Sequence, residues 1–393
     1  MFNAYSPELR QDLRFRWNRL QENLRETGAD ALLAATNVNL LYLTGRIFMG
    51  YVHLPAEGEP LFFVRRPCGL SGANVFELRK PEQIPDLLRE AGIALPRHLL
   101  LEGDDLTFNE HARLTACFPD ARIGNGSTDL RQCRAVKTPY EIRIMRLTGS
   151  RHAAAVDRFA SVYEPGMTDQ AWSIEMFRLM LQAGGLGLFR IAGNSMEGFM
   201  GTVLAGDNGG AASPYDFALG GAGLDPSLPV GQSGVTLTEG MSVMVDIAGN
   251  FYGYLTDCTR TFAIGRLAPR AVEAHCRSIE IQQAVAAAGV PGARCEDLYA
   301  LALKMAEDAG FADCFMGLAQ KAKFIGHGTG LVINEQPVLG ARSKETLQEG
   351  MCIALEPKFV IPGTGAVGVE DTFLVTPAGM ENLTPCDPSM RVL

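Results

Sequence analysis

The 393-residue chain contains no stretch approaching 18 uninterrupted apolar residues, which excludes a membrane-spanning helix on length. Clustered cations are also lacking. Its 35 Lys and Arg are scattered among 44 Asp and Glu, and the net charge of −9 argues against nucleic acid as a partner, because neutralising phosphates requires grouped basic side chains. No C-x-x-C pair occurs among the nine cysteines, and their odd, scattered number points to reduced thiols in a cytoplasmic protein rather than a disulfide framework. The opening MFNAYSPELRQDLRFRW is charged and has no apolar segment of the secretory kind. Apolar residues, by contrast, are abundant. At 47% hydrophobic, the chain can bury a large core, and its length suits two domains.

Residues 1–124 alternate short apolar runs (ADALLAAT, EGEPLFFVRR, RHLLLEGDD) with helical stretches, the pattern of a small α/β domain. Ser6, Pro7 and Gly28 mark the cap, first turn and stop of its opening helix. Residues 125–139 read as a linker and the start of a long helix, where Thr138, Pro139 and Glu141 form a capping box. Residues 140–393 read as an α+β domain with an internal repeat. PGMTDQAWSIEMFRLMLQAGG begins at Pro165 and PGARCEDLYALALKMAEDAG at Pro291, an offset of 126 residues.

The chemistry concentrates in four stretches of this second domain. VDIAGNFYGYLTDCTRTF places Asp246 and Asp257 on two strands joined through Gly249, Asn250 and Gly253, so a hairpin would bring the carboxylates together. Alternation sends Cys258 to the opposite face. KFIGHGTGLVINEQP sets His327 between glycines after an apolar strand, GMCIALEPKF ends a strand at Glu356, and GAVGVEDTFLVT holds Glu370 inside another. Buried carboxylates need compensation. Four carboxylates and one neutral imidazole balance two divalent cations, and an oxygen-rich set with one nitrogen suits manganese, iron(II), cobalt or zinc.

On these four motifs, in this order and spacing, the chain resembles the pita-bread metalloenzymes: Xaa-Pro aminopeptidase, prolidase, methionine aminopeptidase and the metal-free creatinase. The resemblance spans nearly the whole chain and implies a creatinase/prolidase-like N-terminal domain before a pseudo-two-fold pita-bread domain. It implies that Asp257 and Glu370 bridge two metals, manganese first among them, that Asp246 completes one, and that His327 and Glu356 complete the other. Thr259 would orient a ligand carboxylate, and Glu356 would shuttle a proton to the leaving amine. A homodimer is also implied.

The chain departs from the proline-directed peptidases at three places. Pro229 and Asn334 stand where two further histidines are expected, and Gly368 where an arginine is. Asn334 would then donate the remaining hydrogen bond, with Arg190, Tyr215 and, from the N-terminal domain, His53 as further substrate contacts. The function implied is a dinuclear-metal hydrolase of Xaa-Pro dipeptidase or aminopeptidase type. The alternative is a relative acting on a non-peptide small molecule, such as a creatinase-like C–N hydrolase or a lyase.

Overall fold

The computed structural model describes residues 5–193 and 200–393, and the chain forms two compact units that meet in sequence at Arg134 and Ala135. This division falls later than the expected 124. Where residues from 125 on read as a linker, the chain instead ends a strand, Arg122–Asn125, and forms a helix, Ser127–Ala135, whose Leu130 and Cys133 are buried. Asn125 accepts from Ser127 N, so the short polar residues initiate that helix.

The first unit is a six-stranded mixed sheet in the order Val75–Glu77, Leu61–Arg66, Met49–Pro55, Ala31–Ala34, His98–Leu101, Arg122–Asn125. Its opening helix Pro7–Thr27 is capped by Ser6 and stopped at Gly28, whose φ of 68° is a left-handed conformation that glycine tolerates. His53 lies in the strand Met49–Pro55, facing Leu33 and Leu61 on its two neighbours, and is 1% exposed. The expectation that it contacts substrate is therefore corrected: it lies on an inner strand of the sheet with its side chain buried.

The second unit repeats one motif. A four-stranded sheet (Arg391–Val392, Tyr254–Ala263, Ser242–Phe251, Gly201–Ala205) packs on the helices Pro139–Val156 and Asp169–Gln182. A five-stranded sheet (Glu335–Gly340, Phe324–Gly328, Cys352–Leu355, Asp371–Thr376, Gly379–Asn382) packs on Pro269–Ala288 and Cys295–Asp308. The helices Asp169–Gln182 and Cys295–Asp308 are both 14 residues long and start at the predicted offset. The residue before each makes an isolated bridge, Thr168 to Thr236 and Arg294 to Thr346. The capping box at Thr138 and Glu141 forms as read, with both bonds near 3.0 Å. Among the described residues, no helix is long and apolar enough to cross a membrane.

Two histidines buried away from any carboxylate partner make stability depend on pH. Burial pushes the His152 imidazole down to about 3, with Arg260 adding to the effect, and burial pushes His53 down to about 4. His152 bonds Thr256 Oγ1 at 3.0 Å, and its ring fills the space a Cβ would need at Gly249. Both rings are neutral in the folded chain but take a proton below about 6.5 when unfolded. Their contribution is therefore complete above that pH and is lost as pH falls, by about 2 kcal/mol each at pH 5. His152→Gln should lower the urea midpoint at pH 7.5, and the gap from the parent should narrow by about that amount at pH 5. A gap independent of pH would refute the assignment.

Candidate metal centre

The hairpin Ser242–Phe251 and Tyr254–Ala263 supplies the first two carboxylates. Its two-residue turn has φ of 55° at Tyr252 and 83° at Gly253, the twist that joins two strands most tightly. Asp246 stands opposite Thr259 and Ala248 opposite Asp257, so the two aspartates share a face two residues apart in register. Cys258 points the other way, as alternation predicts, and its Sγ lies 3.6 Å from that of Cys386. The other half delivers the remaining groups. His327 sits on Phe324–Gly328 opposite Ala354, and Glu356 follows the end of Cys352–Leu355. Glu370 precedes Asp371–Thr376 and exchanges both backbone bonds with Thr259, which locks the two halves together at the centre.

All five expected ligands converge. Asp257, His327 and Glu370 bring one ligand atom each within 4.8 Å of one another, and Asp246, Glu356 and Glu370 do the same. His327 Nε2 lies 3.5 Å from Glu356 Oε1, while Nδ1 is 3.1 Å from the Gly328 carbonyl oxygen. Thr259 Oγ1 donates to Glu370 Oε2 at 2.8 Å, the orienting bond expected of it.

One residue of the centre was missed. Lys358 Nζ donates to Asp246 Oδ2 at 2.8 Å, Glu356 Oε2 at 2.7 Å and Glu370 Oε2 at 2.9 Å. Its side chain is 0% exposed. The signal was present: Lys358 follows Glu356 by two residues at the end of an apolar strand, and side chains two apart share a face. Burial alone would push its amine down, but Asp246, Glu356 and Glu370 outweigh burial and hold it well above the usual lysine range. Glu370 is pushed well up by burial and by Glu356, and Asp257 by burial, Asp246 and Glu356. These directions show carboxylates crowded beyond what one ammonium neutralises.

Glu370 Oε1 supplies the test of whether a cation fits. It is buried without a hydrogen-bond partner, in a group with Asp257 and His327. A glutamate with an orphaned buried oxygen, grouped with a second carboxylate and an imidazole, fits a divalent ion. The group containing Asp246 and Glu356 differs, because its oxygens already meet on Lys358.

A cavity of about 260 Å³ opens onto Asp246, Asp257, His327 and Glu356. Its apolar wall includes Phe189, Phe217 and Phe324. Asn334 reaches this cavity, but its carbonyl accepts from Ala192 N at 2.7 Å and its amide donates to Ala192 O at 2.8 Å. The asparagine therefore pins the chain around Ala192 to the cavity edge, rather than presenting a free donor pair. Arg190 donates to the Gly253 carbonyl at 3.3 Å and does not line the cavity. Tyr215 lines a neighbouring cavity beside Gln320 instead. The substrate contacts expected of these two are corrected accordingly, since loop geometry, invisible to periodicity, decides where they point.

Comparison with known proteins bears on the family and the fold. The model of metallopeptidase family M24 matches residues 143–377, and that of the creatinase/prolidase N-terminal domain matches 16–136. An Xaa-Pro dipeptidase of Lactobacillus helveticus is 26% identical over 400 residues, covering 96% of this chain and 98% of its own. Among solved structures, an Xaa-Pro dipeptidase from Bacillus anthracis matches with a TM-score of 0.79 at 24% identity, over 97% of this chain and 100% of that one. The prolidase from Pyrococcus horikoshii gives 0.77 at 20% identity, over 95% and 99%. At these identities the structural matches speak for the fold, a two-domain chain ending in a pita-bread domain.

Proposed function

The chain belongs to metallopeptidase family M24, and on that premise we propose that it is a metal-dependent hydrolase of Xaa-Pro peptidase type, acting on small proline-containing peptides. Membership implies divalent metal ions at this centre, and a dinuclear mechanism is consistent with the family. The observation that carries the reading is the unpartnered Glu370 Oε1 grouped with Asp257 and His327 beside an aromatic-walled cavity. The oxygen-rich donor set supports manganese as the ion, and nine free cysteines support a reducing, cytoplasmic setting. A homodimer belongs to the same proposal, from the resemblance alone.

A divalent ion on Asp257, His327 and Glu370 supplies Lewis acidity and a water that ionises near neutral pH. The chain's own groups do the rest. Glu356 lines the cavity with Oε2 fixed by Lys358, which leaves Oε1 to hold a proton and pass it to the departing amine. Phe189, Phe217 and Phe324 receive an apolar ring and exclude water. Asp216 adds a further carboxylate, and no Lys or Arg lines the cavity among the described residues. That wall favours a positively charged amino terminus and leaves a free C-terminal carboxylate without a counter-charge.

The test is a panel of Xaa-Pro dipeptides, their C-terminal amides and Xaa-Pro-Yaa tripeptides, assayed with Mn²⁺ and after chelation. Metal-dependent cleavage is expected, with amides and tripeptides at least about tenfold ahead of free dipeptides in kcat/KM, the equivalent of about 1.4 kcal/mol. A panel left wholly uncleaved would sink the peptidase reading. Such an outcome would favour the second reading, a non-peptide C–N bond, which the tying of Asn334 to Ala192 supports.

A further inference from the structure

We infer that the Lys358 ammonium occupies one of the two cation positions of this centre, so that the working site holds a single divalent ion on the His327 side. The inference deepens the metallohydrolase reading and rests on it.

The argument starts from the backbone. Lys358 opens the strand Lys358–Ile361 and stands opposite Gly368 of Gly365–Gly368. Its own chain is fixed on both sides, by Lys358 N to Met316 Sδ at 3.3 Å and by Met316 N to Lys358 O at 2.8 Å. A Cβ at Gly368 would come within 3.0 Å of Lys358 Cα and 3.2 Å of Cγ, so the glycine is what leaves room for the lysine stem. The stem is wholly buried, which removes the usual option of reaching out to water.

The amine then meets three carboxylate oxygens, one for each of its three N–H donors, at 2.7 to 2.9 Å. A metal bound by the same oxygens would sit about 2.0–2.2 Å from each, inside the volume the ammonium fills. The two cations are alternatives at this position. An ammonium replacing a divalent ion satisfies the same three oxygens with one positive charge fewer, and it supplies no Lewis acid and no bound water. Glu370 Oε1 remains unpartnered, and Glu370 also groups with His327 and Asp257, so that group is the one left for an ion. The lysine thus also fixes the orientation of Glu356 and Glu370, tasks a second ion would otherwise perform.

The experiment is Mn²⁺ loading of the full chain by equilibrium dialysis, followed by metal analysis and electron paramagnetic resonance. The parent should bind one Mn²⁺ per chain and give the six-line spectrum of an isolated ion. Lys358→Met frees Asp246, Glu356 and Glu370 and should take up a second ion, with spin coupling between ions about 3.5–4 Å apart. Two coupled ions in the parent would overturn the inference while leaving the metallohydrolase reading intact. No bound ion in the parent would overturn both. A single ion in folded Lys358→Met would overturn the role given to the lysine. Should that variant fail to fold, the parent's stoichiometry and spectrum decide alone.

Discussion

Glu370→Gln is expected to abolish tight divalent-metal binding and to lower kcat/KM for a cleavable Xaa-Pro peptide by at least about 1000-fold, the equivalent of about 4 kcal/mol. The two carboxylate oxygens do different work. Oε2 accepts from Thr259 Oγ1 at 2.8 Å and from Lys358 Nζ at 2.9 Å, and Oε1 has no partner. A glutamine has one acceptor and one donor end. Keeping its oxygen towards Thr259 and Lys358 puts the amide hydrogens at the unpartnered Oε1 position, where they repel a cation held with Asp257 and His327. The reverse orientation sets the amide against the Lys358 ammonium, donor against donor, in the core. The first orientation costs the fold little, so thermal unfolding of the metal-free variant should stay close to the parent while metal analysis and kinetics collapse. Turnover and metal content within threefold of the parent would remove Glu370 from the centre.

How much of this was legible in the residues follows from which physical rule each feature obeys. The hairpin, the shared face of Asp246 and Asp257, the diversion of Cys258 and the helix caps at Ser6 and Thr138 all follow from local periodicity and capping chemistry. The repeat was visible because both halves start their second helix the same way after Pro-Gly. Lys358 obeyed the same alternation as Glu356. It escaped notice because a lysine is ordinarily an exposed residue, and nothing local says that an amine is fully buried. Arg190, Asn334 and Tyr215 depend on irregular loops, whose direction no period encodes, and two of the three point elsewhere. His53 was misplaced for a simpler reason: an imidazole in a sheet interior reads like one in a hairpin until both neighbouring strands are known.

The largest effect on stability is expected at Arg260, which had no place in the motif reading beyond lying in TDCTRTF. Its guanidinium is 2% exposed. Nε donates to Asp387 O at 3.0 Å, Nη1 to the Thr259 and Glu370 carbonyls at 2.8 Å each, and Nη2 to Asp371 Oδ1 at 2.7 Å and to Cys386 O at 2.8 Å. All five N–H donors are spent, in a planar fork that a lysine cannot reproduce. Arg260→Met should cost about 3–5 kcal/mol, because it leaves the buried Asp371 carboxylate without its cation and removes one donor from each of four carbonyls. Arg260→Lys should fare little better, with three donors for five acceptors. Pairing Arg260→Met with Asp371→Leu should recover the part due to the stranded charge but not the part due to the carbonyls, so the double variant falls between the single variant and the parent. Two of those carbonyls belong to Thr259 and Glu370, so the same variants should weaken Mn²⁺ binding about 10- to 100-fold although Arg260 touches no ligand oxygen. Urea midpoints and metal titration of the folded protein separate the two effects. A parent-like midpoint in Arg260→Met would show that the neighbouring backbone re-pairs without the guanidinium, and a parent-like metal affinity would show that the Thr259–Glu370 bridge holds the centre without help.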